Sequence, residues 1–134
     1  MKLARRQFAL GFAALLVAAP AARAQIADET VRQAFVGMMQ AGNDAYEVAG
    51  LRHVPRVTVI DLQLIARYRV RGERLRLSDF KVSAEKHAAG IARLRKALRA
   101  NPATRAALAE TGVDIGRILA VHIFSDGSLR VFVL

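Results

Sequence analysis

Three histidines, a serine-flanked turn, a lone aspartate and a group of arginines are the residues of this chain that could do chemistry. His53, His87 and His122 could together hold a metal ion, with water in the fourth position. Their spacing gives no support: no two are four residues apart or form a His-x-His pair, and each falls in a separate segment. Ser125-Asp126-Gly127-Ser128 pairs a hydroxyl with an acid, but between two apolar runs these residue types serve turn geometry. A serine nucleophile of the elbow kind needs a strand-to-helix turn, which this segment lacks. Asp61 interrupts an apolar run and is read as a solvent-facing residue. No glycine-rich phosphate loop occurs. Catalytic, cofactor and metal residues are therefore assigned as none.

The arginines are the better candidates. Arg67, Arg69, Arg71, Arg74 and Arg76 crowd one stretch, with Arg52 and Arg56 upstream. Guanidinium forks grip phosphates and carboxylates, so anionic lipid, an acidic polymer or an acidic protein is the partner class. The alternative is a solvated face that keeps an apolar chain in solution and discourages edge pairing. Tyr68 is the only aromatic among them, and single-stranded nucleic acid is bound by stacking on several. Nucleic acid is disfavoured as a partner.

The elements that position these residues follow from periodicity. Residues 28–49 predict a helix with Val31, Phe35, Met38, Gly42, Ala45 and Ala49 on one face. Gly42-Asn43 is its expected weak point, and Gly50 its stop. Residues 56–71 alternate, with Ile60, Leu62, Leu64, Ala66, Tyr68 and Val70 apolar, and predict a long strand. A turn at Gly72-Glu73 returns the chain as a second strand over 74–77, extending at most to 82. That register sets Arg71 opposite Arg74 and Arg69 opposite Arg76.

Phe80, Ala84, His87, Ile91, Leu94 and Leu98 form an apolar stripe over a helix at 79–99, with Ser78 or Ser83 as its cap. Asn101-Pro102 predicts the cap and first residue of a short helix to Thr111, closed by Gly112. Asp126-Gly127 marks a C-terminal hairpin of 117–124 and 128–134, with Phe124 facing Leu129, His122 facing Val131 and Val121 facing Phe132. Both faces of this hairpin are apolar. It is either central in the sheet, or it offers Val121, Ile123, Phe132 and Leu134 as an interface for a second copy or another protein. The expectation is a two-layer α+β fold in the order α-β-β-α-α-β-β, with helices packed on a mostly antiparallel four-stranded sheet.

Composition adds a compartment. Residues 1–24 carry a charged start (Lys2, Arg5, Arg6), an apolar middle, and Ala22-Arg23-Ala24 before Gln25. These are the three parts of a cleavable export signal, cut between Ala24 and Gln25. Arg5-Arg6-Gln7-Phe8 resembles the twin-arginine signal, and the resemblance implies export in the folded state. A general secretory signal with an incidental arginine pair fits the same residues, so both routes stay open. The expected location is the periplasm or the exterior. The mature chain, 25–134, is read as a single domain and not as an integral membrane protein.

Without Lys2, Arg5, Arg6 and Arg23, seventeen basic residues remain against eleven acidic ones, a net charge of +6. That excess favours anionic partners. Cysteine is absent, which excludes disulfides and thiolate chemistry. The resulting expectation is a non-enzymatic domain that binds an anionic envelope component or a protein partner. The alternatives are a small hydrolase or metal-dependent enzyme with a site built from scattered residues, and an accessory subunit of an envelope complex. N-terminal sequencing of protein recovered outside the cytoplasmic membrane is expected to begin at Gln25; a product beginning at Met1 would contradict the signal assignment.

Overall fold

The computed structural model describes residues 20–66, 69–70, 73–74 and 76–134, with side chains for 28–66 and 76–134. Its elements run in the order α1 (Pro20–Met39), α2 (Ala41–Gly50), β1 (Val57–Asp61), α3 (Leu62–Ile65), β2 (Arg69–Val70), β3 (Glu73–Arg74), α4 (Leu77–Lys86), α5 (Ala88–Ala100) and α6 (Pro102–Thr111). A 3-10 turn at Ile115–Arg117 leads into β4 (Ile118–Ile123) and β5 (Leu129–Val133). The class is α+β. The sheet, however, is three-stranded and mixed, in the order β1-β5-β4, and not the expected mostly antiparallel four-stranded one. β5 pairs parallel with β1 and antiparallel with β4. The other two strands form a separate antiparallel ribbon.

The sheet has three strands because the expected long strand stops at Asp61. The Asp61 carboxylate accepts a hydrogen bond from the Gln63 amide at 2.9 Å and so caps α3. Burial then follows helical spacing: Leu62 and Ile65 are buried, whereas Leu64 is 47 % exposed. The apparent alternation through Leu64 thus belongs to no strand. A second cap shortens the return strand. The Asp79 carboxylate accepts from the Arg76 amide at 2.9 Å, so α4 opens at Leu77, where a strand was expected. Neither Ser78 nor Ser83 is the cap.

Two expected helices are each divided in the structure. The expected 28–49 helix divides at Gln40, not at Gly42-Asn43. The buried stripe runs on unbroken across it, through Val31, Ala34 and Met38 on α1 and Ala41, Ala45 and Val48 on α2, and takes in Ala34, Ala41 and Val48 where Phe35, Gly42 and Ala49 were expected. The 79–99 helix divides at His87. Phe80 of α4 is fully buried and stacks on Phe35 of α1 with ring centroids 5.0 Å apart. α1 crosses the sheet at Gly37, where an added Cβ would stand 2.8 Å from Ala120 Cβ.

Asn101 joins three helices. It is 8 % exposed, ends α5 and caps α6 by accepting from the Ala103 amide at 2.8 Å. Its side-chain amide donates to the Val48 and Leu51 carbonyls at 2.6 and 2.8 Å, satisfying the end of α2. Pro102 follows at the first helical position, and Gly112 closes α6 with φ +74°, as the sequence indicates.

The C-terminal hairpin forms with a register one residue from the expected one. Gly127 donates to the Phe124 carbonyl and Phe124 to the Ser128 carbonyl, which makes a three-residue loop with Gly127 left-handed at φ +88°. Ile123 consequently pairs with Leu129, His122 with Arg130 and Val121 with Val131. The one-residue slip reverses which β4 residues share a face with each β5 residue. A bulge at Leu119 sits between the Ile118 and Ala120 pairs.

The two left-handed glycines make a test of this geometry. A Cβ at Gly127 would stand 2.6 Å from the His53 carbonyl oxygen, whereas Gly112 faces open space. Gly112→Ala is expected to cost about 1 kcal/mol from its backbone angle alone. Gly127→Ala adds a backbone clash and should cost roughly 2–4 kcal/mol, with a visibly lower thermal midpoint. Equal losses in the two variants would contradict the loop packing.

Candidate functional site: the arginine ribbon and the α1–α2 cleft

Of the cluster, Arg69 and Arg74 stand on the β2–β3 ribbon, and Arg76 stands just before α4. Val70 pairs with Glu73, and Arg69 stands directly opposite Arg74. The expected turn at Gly72-Glu73 and the opposition of Arg71 to Arg74 and of Arg69 to Arg76 are thereby corrected. Two pairs of the ribbon fall among the described residues, and the α4 cap at Arg76 follows them. Arg67 and Arg71 lie outside the described residues, as do the side chains of Arg69 and Arg74. Arg76 is exposed where the ribbon meets α4. Like charges directly opposite on an antiparallel pair repel by a few tenths of a kcal/mol. The ribbon stands outside the main sheet, with β2 against α1. Upstream, Arg52 is exposed and Arg56 lies close enough to Asp126 to favour its ionised form.

The remaining candidates do not converge. His53 is in the exposed loop before β1, His87 is at the α4–α5 break, and His122 is on β4. No three histidine, cysteine or acidic side chains come together as a metal-binding group among the described residues. His122 packs edge-on against Phe124, with centroids 4.7 Å apart. Burial, and then the neighbouring Arg130, pull its pKa below the usual value. Arg130 is itself half-buried, donates to Gln33 at 2.8 Å and lies 5.4 Å from the Phe124 ring centre.

The turn residues and Asp61 serve the backbone. Asp126 accepts from the Ser128 amide at 2.8 Å, and this bond holds its carboxyl below the usual range. The C-terminal quartet is divided between the two faces of the sheet: Val121 and Ile123 align with Val131 and Leu129, while Phe132 aligns with Ala120. Val121 and Phe132 are buried in the chain's own core, and Ile123 and Leu134 are half-buried. Ala24 and Gln25 fall within α1, and their side chains are outside the described residues.

One polar cleft escaped the sequence reading. Arg32 of α1, Gln40 at the break between α1 and α2, Asp44 and Glu47 of α2, and His122 of β4 line a space of about 210 Å³. Asp44 is half-buried, and burial, with Glu47 adding to it, pushes its carboxyl up to about 6. The available signal was Asp44 and Glu47 flanking the Ala41–Ala45–Val48 stripe, which sets both acids at the margin of a buried helix face.

Asp44 therefore destabilises the domain when it ionises. A folded-state carboxyl raised above its unfolded value binds more protons than the unfolded chain, so stability falls as pH rises from about 4 through 6. Solvent screening of a half-exposed group limits this to about 1 kcal/mol. Asp44→Asn is expected to equal the parent at pH 4 and to exceed it at pH 7.5 in denaturant midpoint. An unchanged pH slope in the variant would contradict the assignment.

Comparison with known proteins finds nothing similar: no family model matches the chain, and no curated protein or solved structure matches it.

Proposed function

We propose that this protein is an exported binding domain without catalytic chemistry of its own, whose ligand is a polyvalent anionic surface or polymer held by the arginine ribbon. The observation that carries this reading is the placement of Arg69 directly opposite Arg74 on an antiparallel ribbon outside the main sheet. A ribbon that concentrates like charge is destabilised by its own repulsion, and a polyanion relieves that repulsion on binding. The net charge of the mature chain attracts the same ligands over longer range.

The export assignment rests on the charged start, the apolar middle and the Ala22-Arg23-Ala24 pattern of residues 1–24. No described helix is long and apolar enough to cross a membrane. An anionic component of the envelope is thus the ligand this reading favours.

Binding to vesicles of anionic lipid or to heparin is the direct test. Affinity is expected to fall about tenfold or more between 50 and 300 mM salt, as screening shortens the reach of exposed charges. A combined Arg69→Ala, Arg74→Ala and Arg76→Ala variant is expected to lose most of the remaining affinity while keeping its thermal midpoint within a few degrees. Binding that ignores salt, or survives the triple substitution, would overturn the proposal.

A further inference from the structure

A second basic site, separate from the ribbon, lies between α2 and the break that divides α4 from α5. It is a cleft of about 300 Å³ whose lining includes Lys86, His87 and Arg93 and no carboxylate. Neither Lys86 nor Arg93 makes an ion pair or hydrogen bond with another described residue. On the opposite wall, Met39 and Tyr46 are 65 % and 80 % exposed, the two most exposed large hydrophobic side chains among the described residues of α1 and α2. Exposed apolar side chains grouped beside unpaired cations in a concave space are characteristic of a ligand site.

The floor of the cleft explains its depth. A Cβ on Gly90 would stand 3.0 Å from the Gly42 amide nitrogen, so α2 and α5 meet backbone to backbone. The interruption at His87 begins a new helix there, so the basic residues of α4 and α5 flank one opening. Arg93 Nη1 reaches to within 3.6 Å of where a Gly42 Cβ would be, which places the guanidinium over the floor. Larger residues at either glycine would fill this space.

We propose that the cleft binds a small organic anion with a single aromatic ring. Its charged group sits between Lys86 and Arg93, where a guanidinium fork and an ammonium can both donate to it. Its ring lies against Tyr46 and Met39, through offset stacking and a sulfur–ring contact. The volume is at the lower end of the range for ligand pockets, which matches one ring and not a fused system.

Phenyl phosphate is the probe, followed by residue-resolved amide chemical shifts of the intact chain. Saturable shifts are expected at Gly42, Asn43 and Gly90, with a dissociation constant of about 1 mM for a ligand of this size. Inorganic phosphate and phenol, each carrying half of the recognition, should bind at least tenfold more weakly. Arg93→Gln and Lys86→Gln are each expected to weaken binding about tenfold, and Tyr46→Ala about threefold. All three positions are exposed, so the thermal midpoints should stay near the parent value. Shifts confined to 69–76, phosphate binding as tightly as phenyl phosphate, or full affinity in both charge variants would each overturn the proposal.

Discussion

β5 carries the fold: it is the central strand of the three-stranded sheet, paired with β1 on one edge and β4 on the other. Leu129, Val131 and Val133 on one face and Phe132 on the other are all buried. A strand in this position needs apolar cover on both sides and satisfied amides on both edges. The β1 partner comes from more than sixty residues earlier, so this parallel pairing carries a large loop-closure cost that burial of the strand must offset. Gly127 sets the register by allowing a tight loop against the His53 carbonyl, and the same contact brings the segment before β1 into line.

The local signals were legible where one residue type has one physical use. Asn101-Pro102, Gly112 and the Asp126-Gly127 turn all appear where capping and turn chemistry place them. The failures share a cause. Asp61 and Asp79 each cap a helix by accepting an amide within their own segment, and both capping residues stood inside runs whose apolar spacing suited a strand. Side-chain caps compete with the ladder for the same backbone groups. Likewise, Gly127 suits both a two-residue and a three-residue loop, and only the packing of the loop selects between them. The pairing of β1 with β5 had no local signal at all, because parallel partners are not joined by a turn.

The site was legible in charge and hidden in shape. The arginines stand together in sequence, so their crowding was plain, while their partners across the ribbon depended on a turn one residue from the expected one. The two clefts formed by α2 could not be read from spacing. They arise where α1, α2, α5 and β4 meet, and they depend on the breaks at Gln40 and His87. Acidic Asp44 and Glu47, together with Arg32, line one opening and basic Lys86 and Arg93 another, so two neighbouring spaces differ in their charge.

The central claim is that the core closes around β5 and leaves charge recognition to elements outside the main sheet. Residue-resolved hydrogen exchange of the intact chain, with and without anionic vesicles, tests it most directly. The account predicts that the amides of Leu129–Val133 exchange more slowly than those of β1 and β4 in both conditions, and that protection gained on binding is confined to residues 69–76 and their immediate neighbours. Earlier exchange in β5 than in β1 and β4, or protection gained mainly along β4, would contradict it.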